Sequence, residues 1–163
     1  MRLLLAALLA ALLGLSLAAC GFQLRGSSSL PFDTIYVPGS SGGIALDLKR
    51  TIQAGSSTRV VDSPKDAQAI LELFEATREK DILSLTGAGR VREFRLRLRV
   101  RYRVRDAKGR EYVPTTTLQQ VRDITFNDSL VLAKESEEEL LYRDMQSDMV
   151  QQMMRQLAAA RLN

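Results

Sequence analysis

The chain has 163 residues, 45% hydrophobic and 26% charged, with a formal net charge of +4. That length supports one domain with a real core. It holds no histidine and a single cysteine, which excludes a histidine base or metal ligand, an internal disulfide and a Cys/His dyad.

The N-terminus is a targeting segment. Arg2 is followed by an apolar run, Leu3 to Leu17, broken only by Gly14 and Ser16, and small residues then lead to Cys20. The run is too short to span a bilayer and has the order of a secretory signal. The ending Leu17-Ala18-Ala19-Cys20-Gly21 resembles the lipobox of bacterial lipoproteins. That resemblance implies cleavage before Cys20 and lipidation of its thiol. The expected division is a signal peptide over 1–19, a lipidated N-terminus and tether over 20–30, and one domain over 31–163. An aspartate after the cysteine would imply inner-membrane retention in such proteins. Gly21 stands there, so the resemblance implies the outer membrane. The lipid would supply the attachment, since no later stretch could cross a bilayer.

Beyond the tether, Thr34 to Val37 reads as a short strand and Pro38 to Gly43 as a turn. Ile44 to Ala54 has a helical apolar face, with Gly55 as its stop. Arg59-Val60-Val61 is a brief strand and Asp62 to Asp66 a turn. Ala67 to Leu85 contains a long strand whose apolar period slips near Glu75 to Asp81, so a bulge or a strongly twisted edge is expected there. Gly87-Ala88-Gly89 closes a hairpin.

The next segment is the most regular. Phe94, Leu96, Leu98, Val100, Tyr102 and Val104 alternate with Arg95, Arg97, Arg99, Arg101, Arg103 and Arg105. Period two over twelve residues specifies one strand with two unlike faces. Residues 90–105 hold eight arginines and one glutamate, a charge of +7, whereas residues 20–163 as a whole carry +3. The positive charge is therefore local to this strand and its lead-in.

Asp106 to Arg110 forms a second hairpin turn, and Tyr112 to Phe126 the third strand of a meander. Pro114 suggests that the start of this strand lies outside the central ladder. After a break at Asn127 to Ser129, one long helix runs from about Val131 to Leu162. Ser136 and Glu139 have the spacing of a capping box at an internal start. The glutamates at 135 and 137–139 read as a solvated helix start. Leu141, Met145, Met149, Met153 and Leu157 form a core-facing stripe. The order predicts an α+β fold: a twisted, mostly antiparallel sheet of four or five strands with two helices packed on one face. The even-numbered residues of the arginine strand would face the helices, and the arginines would cover the open face.

No nucleophile–base pair, metal cluster or cofactor loop emerges. Gly87-Ala88-Gly89 is too short for a dinucleotide loop and precedes a strand. An enzyme is not expected, and neither is a metal or a cofactor. The arginine face has three readings. Cross-strand pairing with Glu72, Glu75, Glu79, Asp81 and Glu111 would absorb some of the arginines but is not expected to absorb all six. Nucleic acid is disfavoured by export and by the lack of an aromatic platform. An anionic ligand or protein surface outside the inner membrane remains, and arginine pairs well with phosphate.

Cys20-Gly21-Phe22-Gln23-Leu24-Arg25-Gly26 resembles the mature start of the lipopolysaccharide-assembly lipoproteins of the LptE (RlpB-like) family. Leu132-Ala133-Lys134, followed by acids and a long helix, is similar to a second stretch of that family. The resemblance implies a non-catalytic subunit of the outer-membrane lipopolysaccharide (LPS) translocon. Such a subunit plugs an LptD-type β-barrel, assists the barrel's assembly and binds LPS. It implies LPS contact at Lys134. The family's second basic position falls on Gly87 here, so Arg90 or Arg92 is expected to serve instead, with Arg95 and Arg97 as further candidates. Two alternatives stand beside this: a purely structural barrel scaffold, and an unrelated envelope lipoprotein that binds an anionic polymer.

Overall fold

A computed structural model describes residues 29–39, 42–127 and 130–161. The signal peptide, Cys20, most of the tether, parts of the turns at 38–43 and 127–129, and Leu162 lie outside the described residues.

The sheet has five strands. β1 (Thr34–Tyr36) and β2 (Arg59–Val61) are short, whereas β3 (Ala69–Leu85), β4 (Val91–Arg105) and β5 (Glu111–Thr125) are long. Their spatial order is β2-β1-β3-β4-β5. β1 runs parallel to both β2 and β3, and the β3–β4 and β4–β5 pairs are antiparallel. At about 3.4 Å per residue, the fifteen residues of β4 extend roughly 50 Å. Helix α1 (Gly43–Gly55) joins β1 to β2, and helix α2 (Val131–Ala159) follows β5. The expected α+β fold with two helices is the one observed, and its sheet has five strands, the larger of the two counts expected.

The alternation in β4 sets the layers. Leu96, Leu98, Val100, Tyr102 and Val104 are buried and belong to one core with Ile44, Leu48 and Ile52 of α1 and with Met145, Met149, Met153 and Leu157 of α2. Each such side chain contributes on the order of 1.5–3 kcal/mol by leaving water. Both helices therefore lie on the even-numbered face. Among the described residues the core runs from Leu30 to Leu157, so residues 29–163 include all of it.

Both hairpins have the same build. Gly89 N–H donates to Thr86 O and Gly109 N–H to Asp106 O, at 2.9 and 3.2 Å. Each glycine has positive φ, +76° and +89°, which a three-residue hairpin loop requires at its last position. Asp106 reinforces its turn by accepting from the backbone N–H groups of Lys108 and Arg110, both at 2.8 Å.

Three boundaries differ from expectation. The bulge in β3 falls at Phe74, between Leu73 and Glu75, with a second irregularity after Ile82. β5 begins pairing at Glu111, before Pro114, because an irregularity between Tyr102 and Val104 absorbs the proline on an edge strand. Ser136 is not a cap. α2 starts at Val131, and Ser136 lies inside it with its hydroxyl donating to Leu132 O at 3.0 Å.

Candidate functional site

The arginine face is a closed ion-pair ladder. Register places Glu79 opposite Arg97, Glu75 opposite Arg101, Glu72 opposite Arg103 and Asp123 opposite Arg95. Diagonal contacts do the rest. Arg99 reaches Glu75 and Glu79 at 3.8 and 3.5 Å, Arg97 also reaches Asp81 at 3.2 Å, and Arg103 also reaches Glu111 at 3.5 Å. Glu72 takes two partners: Arg103, which is in direct contact with it, and Arg105 at 2.7 Å. All six arginines, 95 through 105, thus have a carboxylate within pairing distance. The expectation that neighbouring strands could not absorb six is overturned. Glu72, Glu75 and Glu79 each serve two successive arginines and Asp81, Glu111 and Asp123 serve one each, so six acids suffice. Two of them, Glu111 and Asp123, come from β5.

The acid–base shifts follow from this pairing. The hydrogen bond from Arg103 holds the Glu72 carboxyl below the usual glutamate range against the opposing effect of burial, with Arg105 adding. Arg97 does the same for Glu79, and Arg95 for Asp123. The Phe74 bulge turns an aromatic ring onto the same face, where the Arg101 and Arg103 guanidinium carbons each lie 5.6 Å from its centroid.

A different set of cations gathers at the end of the sheet where β5 stops and α2 starts. Lys134, in the first turn of α2, donates to Glu137 Oε2 at 2.8 Å and to Thr125 Oγ1 at 3.2 Å. Arg90 lies in the β3–β4 turn, its N–H donating to Thr86 Oγ1 at 3.1 Å. Arg92 is exposed, and its carbonyl accepts from the N–H of Phe126 at 2.8 Å. Lys134, Arg90 and Arg92 therefore share one end of the molecule. Arg95 and Arg97 are odd-numbered and belong to the open face, on the side of the sheet away from the helices.

The sequence reading missed a third group. Arg78 and Lys80 stand on the helix side of β3 and pair with Glu139 at 3.1 Å and Glu138 at 2.6 Å. Tyr142 adds a bond from its hydroxyl to Glu79 O at 2.6 Å. The glutamates at 137–139 are thus clasps that hold the first turns of α2 to themselves and to the sheet, and not a merely solvated run. Lys80 Nζ sits 4.3 Å from the Phe94 ring centroid, and Phe94 meets Phe126 edge-on at 5.3 Å. The signal was present in the alternation of β3 itself, where Glu79 and Asp81 interleave with Arg78 and Lys80.

Residues 32–157 match the family model LptE, described as lipopolysaccharide-assembly. The chain belongs to the LptE family. An LPS-assembly lipoprotein LptE from Photorhabdus laumondii is 28% identical over 159 residues, covering 92% of this chain and 85% of that protein. One from Yersinia pestis (strain Pestoides F) is 28% identical over 157 residues, covering 92% and 75%. Among solved structures, lipoprotein B from Nitrosomonas europaea is 43% identical with a TM-score of 0.73, covering 85% of this chain and 91% of that one. A minor lipoprotein from Acinetobacter baumannii, 24% identical over 82% of this chain and 98% of its own, shares the fold with a TM-score of 0.64. LptE membership makes this an LPS-assembly lipoprotein of the outer membrane and not an enzyme. It sets aside the unrelated envelope lipoprotein.

Proposed function

We propose that the chain, lipidated at Cys20 after loss of residues 1–19, is the plug subunit of an outer-membrane LPS translocon. It sits inside an LptD-type β-barrel, supports that barrel's assembly, and binds LPS through Lys134 with Arg90 and Arg92. The observation that carries this reading is the grouping of those three cations at one end of the fold, beside exposed Leu130, Val131 and Leu132. Phosphates and acyl chains of one amphiphile call for that combination. The first-turn N–H groups of α2 add a partial positive charge there. Arg95 and Arg97 contribute less to LPS, because a phosphate would have to compete with Asp123, Glu79 and Asp81 for them.

The ladder itself favours a second role, toward the barrel. A face of six arginines and six carboxylates is polar and close to neutral, suited to a mixed-charge protein wall. A pure scaffold without LPS contact is the competing reading, and the engagement of Lys134 by Thr125 and Glu137 favours it. Binding of LPS to residues 29–163 separates the two. Lys134→Glu and the pair Arg90→Glu with Arg92→Glu are expected to weaken binding at least tenfold, while Arg97→Glu changes it little. Equal binding by all of these would sink the site assignment. Loss of barrel co-purification with LPS binding intact would leave the scaffold role alone.

A further inference from the structure

The clasps between α2 and the sheet close over an apolar cleft of about 190 Å³. Its walls are Phe94, Ile124, Phe126 and Val131, and Lys80, Lys134 and Glu138 stand at its edge. The apolar surface continues outward. Ile82, directly opposite Phe94 in the β3–β4 ladder, is 59% exposed, and Leu132 is 80% exposed. Sites that enclose a whole small molecule run to roughly 300–1,000 Å³. A cleft of this size takes one part of a larger ligand. Aromatic and aliphatic walls set the chemistry of that part, and two ammonium groups at the mouth set the chemistry of what adjoins it.

We propose that this cleft is an acyl subsite: it takes one hydrocarbon chain of an anionic amphiphile, whose acid group displaces Glu138 from Lys80 and Glu137 from Lys134. This deepens the LPS reading above and rests on it for the identity of the amphiphile. Charge complementarity selects the occupant. Each lysine already holds a carboxylate oxygen at 2.6 or 2.8 Å, so the edge is built to hold an anion at each ammonium. Each pair has one member open to solvent, Lys80 at 36% and Glu137 at 48%, against 22% for Glu138 and 17% for Lys134, and single pairs with a solvent-exposed member contribute little and can exchange. Other charges near the cleft are Glu135, which lines it, and Arg92, two residues before Phe94 in β4. The glutamates of α2 are then internal competitors for the ligand's site. Removing one should strengthen binding, the opposite of what a merely structural clasp predicts.

The test uses residues 29–163 and dodecyl phosphate below its micellar concentration, with inorganic phosphate and dodecyl maltoside as separate probes. Affinity comes from calorimetry, and the location from methyl NMR of Ile124 and Val131. Dodecyl phosphate is expected to shift the Ile124 methyls, Glu138→Gln to tighten binding about threefold or more, and Lys80→Ala to weaken it by a similar factor. Val131→Trp, at a half-exposed helix start where folding is not at stake, should fill the cleft and weaken binding. An unmoved Ile124, Glu138→Gln binding no tighter than the parent, or inorganic phosphate binding as well as the amphiphile would each overturn the subsite. LPS binding that persists while these fail overturns the cleft alone. Dodecyl phosphate seated in the cleft without any LPS binding overturns the LPS reading alone.

Discussion

Tyr102 joins the arginine strand to α2, and removing its hydroxyl tests how those layers are held. The ring is fully buried, and its hydroxyl donates to Gln156 Oε1 on α2. Tyr102→Phe keeps the ring and its packing and deletes one hydrogen bond. A net intramolecular hydrogen bond contributes about 0.5–1.5 kcal/mol, and a stranded buried partner costs about 1–3 kcal/mol. Gln156 is only half-buried, so its carbonyl recovers a water and the cost falls near 1 kcal/mol. For a fold of this size that lowers Tm by roughly 3–5 °C. Calorimetry on Tyr102→Phe, Gln156→Ala and the double variant gives the coupling directly. Burial raises the pKa of the phenol above its ordinary value near 10. The stability it lends is therefore complete below the unfolded pKa of about 10 and lost as pH rises past it. The Tyr102→Phe deficit should be equal at pH 6 and pH 9 and should shrink above pH 10. A coupling near zero, or a deficit that widens in alkali, would refute the hydrogen bond as the cause.

The carboxylates of the ladder predict acid sensitivity. Glu72, Glu79 and Asp123 have lowered pKa values in the fold, so their stabilisation is full above the unfolded carboxylate range and is lost as pH falls through the folded values. Melting temperatures should drop most steeply below about pH 4, and less steeply in Glu72→Gln. Met149→Ala, at a fully buried position of the α2 stripe, should cost about 2–5 kcal/mol in denaturant melts. Cys20→Ser should leave the fold's melting temperature unchanged and release the chain from membranes in fractionation; persistent membrane association would count against lipid anchoring.

Period two made β4 legible, because a strand buried on one face must alternate and twelve residues leave little room for another period. The methionine stripe of α2 was equally plain, since Met145, Met149 and Met153 recur every four residues and all are buried. The parallel placement of β1 between β2 and β3 was not legible. Three-residue strands carry too little pattern to fix their neighbours, and the pairing depends on where α1 returns the chain. β3 was half legible. Its apolar pattern does slip, but past Phe74 the alternation continues in the sign of charge, with Glu79 and Asp81 on the open face and Arg78 and Lys80 under α2. A search for apolar residues alone treats that stretch as irregular.

The same point explains why the densest run of arginines is not the strongest candidate for anions. What an arginine offers to a phosphate depends on what faces it across the strand, and register decides that. In β4 the register sets a carboxylate opposite every arginine from 95 to 105 except Arg99, and Arg99 reaches Glu75 and Glu79 diagonally, so every one of these arginines has a counter-charge. Beyond Arg95 the matching ends differently. β5 stops at Thr125, β3 bends after Ile82, and the cations there come from separate elements: Arg90 from a turn, Arg92 from a strand end, Lys80 from the helix side of β3 and Lys134 from α2. The glutamates that hold Lys80 and Lys134 are Glu138 and Glu137, on the first turns of α2, each through a single ion pair. A ladder zipped within one sheet resists displacement collectively, because Glu72, Glu75 and Glu79 each serve two arginines. A helix start clasped by single pairs can give up one glutamate at a time. The proposed anion site therefore follows the singly paired counter-charges rather than the greatest number of arginines.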